Sequence, residues 1–290
     1  MIKNITTAAL ALLLTIAVFG QDTTNSAQLT PPPPAMPVAD STQHYHVKAK
    51  LEIPLVVLGG AFTAYNFSRI SKKTGSDPAY VQGLSKADVN WFDRWGVHAY
   101  DKAKDDASYL PFYAAMPAPL LLFVVDKKMR KDFFKLTFLY AEAMTATGVL
   151  YSSAAGYTNR LRPMVYSNGT PMEKRILSEQ KKSFFAGHVA LVATSTFFMA
   201  RVIAEYHPQS RFKWLYYSVA GAATATTGYL RMAAGEHFLS DVLLGTAVGT
   251  LSGLLTPSLH KIKLVKSGKL AILPFANAGG TGGLTAIYRL

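Results

Sequence analysis

Apolar segments recur along most of the chain and are separated by short polar or basic stretches. Each segment is long enough to form a helix, and most approach the roughly 17–25 residues that a helix needs to cross a bilayer. The pattern predicts an all-α fold: a helical bundle of about six helices embedded in a membrane, with an exported soluble bundle as the alternative. The predicted helical segments are 51–68, 109–125, 133–156, 187–204, 214–230 and 238–256.

The N-terminal residues have a different composition. Residues 1–20 combine Lys3, an apolar run and the small residue Gly20, which is typical of a secretory signal peptide. An uncleaved membrane anchor is the alternative, although the run is short for a span. Residues 21–45 are polar and contain the proline run 31–34, so we expect a linker without a core of its own.

The C-terminal residues 261–290 predict a short β-hairpin appended to the bundle. Two stretches of alternating character flank a glycine-rich turn at 279–283. Residues 46–260 are therefore interpreted as one helical domain.

The charge balance limits the classes of binding partner that we expect. The net charge is +13 although only 16% of the residues are charged, which suits phosphoesters, acidic lipid surfaces or nucleic acid. The basic residues are scattered between apolar segments and form no stripe, which argues against nucleic acid. The absence of cysteine excludes disulfides, thiolate nucleophiles and cysteine-based metal sites.

Three short basic loops predict how the helices are oriented across the membrane. The positive-inside rule places them in the cytoplasm and the opposite helix ends in the periplasm. A cleaved signal peptide followed by a count of spans gives the reverse, so the two interpretations conflict. We expect an inner-membrane protein whose site faces the periplasm, with a soluble periplasmic protein as the alternative. The loops are 126–131, 211–213 and 260–269.

The stretch from Arg231 to Asp241 carries the first candidate chemistry. His237 and Asp241 are four residues apart, which on a helix places them on one face. The carboxylate can accept from one imidazole nitrogen and leave the other free to attack. Gly235 is interpreted as a break that lets Arg231 fold back toward an anion beside the histidine.

Two further polar clusters lie at the edges of apolar segments. Arg160 and Arg162 stand near the end of one segment, and His188 stands just before another. Together with the first cluster they predict one site assembled from several helix ends.

These clusters resemble the type-2 phosphatidic acid phosphatase and vanadium haloperoxidase superfamily. Its motifs run Lys-x6-Arg-Pro, then Pro-Ser-Gly-His, then Ser-Arg-x5-His-x3-Asp. The resemblance covers about residues 109–256 in order and spacing. The matching positions are Arg162-Pro163, Gly187-His188, and the triple Arg231, His237 and Asp241.

The resemblance implies catalytic roles and a helical bundle with the site at the ends of its central helices. His237 would be the nucleophile that becomes phosphohistidine, and Asp241 would orient it. His188 would protonate the leaving oxygen and later activate water. Two histidines can divide this work near neutral pH.

The resemblance also implies a phosphate site. Arg162 and Arg231 would clamp the phosphate oxygens, the Gly187 backbone N–H would add a donor, and Arg160 is a further candidate. Positive charge on the equatorial oxygens is what phosphoryl transfer requires. Since arginines supply it, we expect no metal and no cofactor at this site.

Several motif positions depart from the family pattern. Ala155 stands at the first-motif lysine, Phe185 and Ala186 replace Pro-Ser, and Leu230 replaces the third-motif serine. Each lost charged hydrogen bond is worth about 1.5–3 kcal/mol, so the activity could be weakened.

Nearby residues could compensate for these losses. Arg160, Lys181 or Lys182 could replace the missing charge, while Ser183 is interpreted as a helix N-cap rather than a substitute hydroxyl. The loop Met164–Lys182 is interpreted as a lid over the site, with a plain connector as the alternative.

The sequence thus predicts a phosphatase of the bacterial envelope that acts on a lipid-linked phosphomonoester or pyrophosphate. Its expected partners are a phosphorylated lipid and the membrane. Phosphatidate, phosphatidylglycerophosphate, polyprenyl pyrophosphate and lipid A phosphate stay open as substrates. Two alternatives stay open as well: a member that binds phospholipid without turnover, and a vanadate-dependent haloperoxidase.

Overall fold

The computed structural model describes residues 44–261, 270–276 and 282–288. The predicted signal peptide and nearly all of the predicted linker lie outside the described residues. All six predicted apolar segments form helices between residues 49 and 259, which confirms the all-α fold of the predicted bundle. The helices are α1 Ala49–Ser71, α2 Pro78–Gln82, α3 Lys102–Ala115, α4 Ala118–Val125, α5 Phe133–Tyr157, α6 Met172–Arg175, α7 Gly187–Tyr206, α8 Lys213–Ala233 and α9 Leu239–Leu259.

One predicted segment is two helices. The apolar run 109–125 spans α3 and α4, which are separated at Met116 and Pro117. Pro117 has no backbone N–H, and it becomes the N-cap of α4, where its carbonyl accepts the first helical bond from Leu121.

Helix α7 lies at the centre and packs in parallel against α9. Three glycines of α9 make this approach possible, because a Cβ on any of them would lie 2.1–2.6 Å from a carbonyl oxygen of α7. The contact brings the N-terminal ends of α7 and α9 side by side. The pairs are Gly245 with Ala186, Gly249 with Ala190, and Gly253 with Thr194.

The outer surface of the bundle is unusually apolar. Large apolar side chains are exposed along α1 and α9, for example Leu58 at 65% and Leu251 at 55%. Three helical stretches are long and apolar enough to cross a membrane, and these features fit a membrane protein. The stretches are Lys102–Val125, Gly187–Tyr206 and Leu239–Leu259.

Two connecting segments cover the end of the bundle where α7 and α9 begin. They are residues 72–101 and 158–186, and each is folded into short helical turns. Arg175, which is 4% exposed, ties them together by donating to the carbonyls of Val81 and Val165 at 2.9 and 2.8 Å. The loop predicted as a lid is therefore a packed element.

Near the C-terminus, strands β1 (Leu270–Ala276) and β2 (Gly282–Tyr288) pair antiparallel. The register runs from Leu270 opposite Tyr288 to Ala276 opposite Gly282. The glycine-rich turn lies outside the described residues, so the β-hairpin as a whole stays a prediction.

Candidate active site

A tight turn between α8 and α9 builds the centre of the site. Gly235 has a φ of +74°, a conformation that favours glycine, and it ends α8 as the sequence predicts. The Met164 N–H donates to the Gly235 carbonyl at 3.0 Å, which fixes the segment after Arg162 to this turn. Arg162 and Arg231 are thereby held at the same end of the bundle.

The two arginines converge on one carboxylate oxygen. Arg231 is 2% exposed and donates from Nη2 to Glu236 Oε2 at 2.7 Å. Arg162 donates from Nη1 to that same oxygen. Two guanidiniums on one oxygen form an anion pocket, and Glu236 supplies its anion. Sequence reasoning missed Glu236, although it directly precedes His237.

The pocket holds two positive charges close together in a buried place. Burial, and next the neighbouring Arg231, lower the pKa of Arg162 to about 10, which still leaves it charged at neutral pH. Arg231 Nη1 donates to Asp105, and to Ser108 Oγ at 3.2 Å. Glu236 and Asp105 thus balance the two guanidiniums.

His237 has the environment of a neutral nucleophile. Its Nδ1 lies 2.7 Å from the Ser183 carbonyl oxygen, a contact in which Nδ1–H must donate. Nε2 then carries the free lone pair. Burial, and next Arg231 and Arg162, hold the pKa of His237 well below 6.5, so the ring is neutral at physiological pH.

Asp241 is placed differently from the expectation that it accepts from His237. The distance from its Oδ2 to His237 Nδ1 is 4.0 Å. The carboxylate accepts instead from Ser183 Oγ at 2.6 Å, from the Phe238 N–H at 3.0 Å and from Arg160 at 2.7 Å. Ser183 therefore links the two residues: its hydroxyl donates to Asp241, and its carbonyl accepts from His237.

The interpretation of Ser183 as an N-cap is wrong. Helix α7 begins at Gly187 with Ala186 in the capping position and no side-chain cap. Ser183 lies four residues before the helix and is fully buried, and its hydroxyl donates to Asp241.

Arg160 does not join the arginine pair. Its Nη1 donates to Asp241 at 2.7 Å and to Ser240 Oγ at 2.9 Å, and its Nη2 donates to Asp93 at 2.6 Å. Both nitrogens thus contact carboxylates, and a role of Arg160 in phosphate binding stays a prediction.

His188 and Gly187 form the first residues of α7. The His188 ring lies edge-on to Tyr109 and Phe112 of α3, with centroids 5.0 and 4.9 Å away. A Cβ on Gly187 would lie 2.6 Å from the Tyr151 ring. The Gly187 N–H lies in the first turn of α7, where backbone N–H groups have no acceptor within the helix.

The two candidate lysines are in different places. Lys181 donates to the carbonyls of Thr74 and Gly75 at 3.0 Å each. Partial burial, and next Arg162, lower the pKa of Lys182, so this lysine lies within electrostatic range of the arginine pair. Ala155 is fully buried in α5. Lys182 is thus the better placed substitute for the missing lysine.

Comparison with known proteins identifies the class. Residues 136–263 match the family described as the PAP2 superfamily, which confirms the resemblance for the segment that carries all three motifs. This supports a lipid phosphatase at the level of the family.

No curated protein matches the chain. Among solved structures, the chain is similar to the crystal structure of the first transmembrane PAP2 type phosphatidylglycerolphosphate phosphatase from Bacillus subtilis. The identity is 17% and the TM-score 0.42, over 72% of this chain and 94% of that chain.

Proposed function

We propose that the protein hydrolyses a lipid-linked phosphomonoester or pyrophosphate through a phosphohistidine at His237. One observation carries the proposal: two buried guanidiniums, Arg162 and Arg231, meet at one oxygen position beside a histidine whose Nε2 is free. Phosphoryl transfer requires this combination of fixed positive charge and a positioned nucleophile.

In the first step, His237 Nε2 attacks phosphorus, a P–N bond forms, and the P–O bond to the lipid breaks. A protonated His188 gives its proton to the leaving oxygen. In the second step, His188 takes a proton from water as the water attacks, and the P–N bond breaks. Inorganic phosphate leaves and the Nε2 lone pair is restored.

The bound phosphate would take the place of the Glu236 carboxylate. Since Arg162 and Arg231 already donate to Glu236, the substrate must compete with this internal anion. Glu236 swings away as phosphate enters, and it returns when phosphate leaves.

A lipid substrate fits the surroundings of His188. Tyr109 and Phe112 flank the ring, and the neighbouring α3 residues Leu110 and Tyr113 are 71% and 65% exposed. An apolar approach of this kind suits an acyl or prenyl chain better than a soluble monoester. We assign the protein to the inner membrane of the bacterial envelope, with this site on the periplasmic side.

The test is phosphate release from a short-chain phosphatidate in detergent, repeated with phosphatidylglycerophosphate, a polyprenyl pyrophosphate and lipid A phosphate. His237→Ala should reduce release by at least about 1,000-fold, as expected for a lost nucleophile. His207→Ala is the matched control, because His207 ends α7 at the far end of the bundle, where it pairs with Asp126.

Three outcomes would decide against the proposal. Equal release by the parent and His237→Ala would exclude His237 as the nucleophile. Substrate binding without release would indicate a phospholipid-binding member without turnover. Halide oxidation that depends on added vanadate would indicate a haloperoxidase.

A further inference from the structure

A second cluster of buried charge lies near the end of the bundle that is remote from His237. Glu52 of α1, Glu142 of α5 and His260, the residue after α9, each offer one ligand atom. These three atoms all lie within 4.8 Å of one another. Three helices that are separated in sequence therefore bring two carboxylates and one imidazole to a single point.

The spacing of these atoms is that of ligands around a metal ion. His260 Nε2 lies 3.3 Å from Glu52 Oε2 and 3.3 Å from Glu142 Oε2. In a tetrahedral site with bonds of about 2.0–2.2 Å, neighbouring ligand atoms are about 3.3–3.6 Å apart. Two of the three distances have this spacing, and the third, between the two carboxylate oxygens, is within 4.8 Å.

Hydrogen bonds do not satisfy the carboxylates. Glu52 is 9% exposed, and its Oε2 has no hydrogen-bond partner among the described residues. The same holds for Glu142 Oε2 in that part of the chain. A buried carboxylate oxygen without a partner destabilises the fold, because its lost hydration is not replaced. Both oxygens point to His260.

The imidazole is oriented as metal-binding histidines are. His260 Nδ1 lies 2.7 Å from the Thr256 carbonyl, to which Nδ1–H donates. In the neutral ring, Nε2 then presents its lone pair to two carboxylate oxygens, an arrangement that is repulsive until a metal ion or a proton lies between them. Lys261, the next residue, pairs with Glu205 instead.

We propose that Glu52, Glu142 and His260 bind a divalent transition-metal ion of the zinc class. One imidazole and two carboxylates are ligands that zinc accepts, with water completing the coordination. The ion would join α1 to α5 and α9. Because α1 precedes the family match at 136–263, the ion attaches an additional helix to the catalytic domain.

Full-length protein without a polyhistidine tag, stripped with a chelator, tests this by calorimetric titration with Zn²⁺. We expect one equivalent to bind and the melting temperature to rise. Glu142→Gln should weaken this binding by at least about 100-fold, since even partners outside the ligand shell are worth 10–100-fold. His207→Gln is the matched control, because His207 faces a single carboxylate, Asp126, at 2.8 Å.

Parent protein that binds no Zn²⁺ at micromolar concentration would overturn the proposal, and so would equal binding by Glu142→Gln. In either case a proton held among the three groups would explain the cluster. If Glu142→Gln does not fold, X-ray absorption on the zinc-loaded parent decides: nitrogen or oxygen ligands at about 2.0 Å and the outer-shell scattering of one imidazole are expected, and a spectrum without imidazole scattering contradicts the proposal.

Discussion

The two buried charge clusters of this molecule are built on opposite principles. Beside His237, Arg162 and Arg231 already hold a carboxylate, Glu236, where the phosphate would bind. In the second cluster, Glu52 and Glu142 face only the His260 ring nitrogen, without hydrogen bonds among the described residues. The first cluster thus contains an internal substitute for its ligand, and the second contains none.

This difference determines what a ligand does at each place. At the active site the fold is balanced without substrate, so an incoming phosphate must compete with Glu236 and adds little stability. In the second cluster the proposed ion would compensate the two carboxylates, so its binding should stabilise the fold directly. The charge that lacks a counter-charge inside a cluster, rather than the total charge, therefore indicates which ligand the cluster would bind and whether that ligand stabilises the fold.

The largest effect on this comparison is expected from removing one positive charge from the active site. Arg231→Gln leaves Glu236 and Asp105 without their shared counter-charge in a buried place. We expect a loss of about 3–5 kcal/mol of stability and at least about 100-fold of phosphate release. Thermal unfolding and the release assay measure the two effects.

Arg201→Gln is the control for that change. Arg201 pairs with Glu205 one helical turn away, and Glu205 keeps a second partner, Lys261, when Arg201 is removed. The change therefore leaves no carboxylate without a counter-charge, and we expect a smaller loss of stability than for Arg231→Gln. If Arg231→Gln and Arg201→Gln unfold at the same temperature, the buried contacts of Arg231 contribute no more stability than those of Arg201, and the comparison fails.

A smaller effect is expected when the internal substitute is removed. Glu236→Gln retains an oxygen that can accept from Arg162 and Arg231 but removes the competing negative charge. Phosphate or vanadate should therefore inhibit at about tenfold lower concentration, a change of about 1.4 kcal/mol. Inhibition constants from the release assay give this directly.

The control for that change is Glu173→Gln, an exposed carboxylate on α6 in the segment that covers the site. It should leave inhibition by phosphate unchanged. Weaker inhibition of Glu236→Gln would show that Glu236 supports anion binding instead of competing with it.

Much of the architecture could be predicted from the sequence because it depends on local pattern. The apolar segments specify the helices, and the motif spacing identifies Arg162, His188, Arg231 and His237, which the fold brings to one end. Pro117 marks a break inside the apolar run 109–125, although the prediction treated that run as one helix.

The contacts around these residues could not be predicted, for definite reasons. Helical spacing does not apply to His237 and Asp241, because His237 lies in a turn and α9 begins at Leu239. The carboxylates that balance the arginines include Asp93 and Asp105, which come from segments outside the recognised motifs.

The faces on which helices approach most closely could not be predicted from composition. Gly249 of α9 approaches α7, and Gly228 of α8 approaches Val242, where a Cβ would lie 2.7 Å away. Composition shows that two helices can approach closely, and only the fold shows which faces do so. The metal cluster had no sequence signature, since its three residues are far apart in the chain.

The smallest effect concerns acid stability at the active site. Burial and the nearby arginines hold the pKa of His237 well below 6.5, so the folded protein keeps this ring neutral while the unfolded chain protonates it. The stabilisation is complete above about pH 6.5 and is lost as the pH falls below that value, by up to about 1.4 kcal/mol per pH unit. His237→Gln should therefore lose less stability than the parent between about pH 7 and pH 5, measured by thermal unfolding. His207→Gln, which removes a histidine paired with Asp126, serves as the control. Equal pH dependence in the parent and His237→Gln would mean that folding does not lower the pKa of His237, and the burial and the two arginines would then not control its protonation.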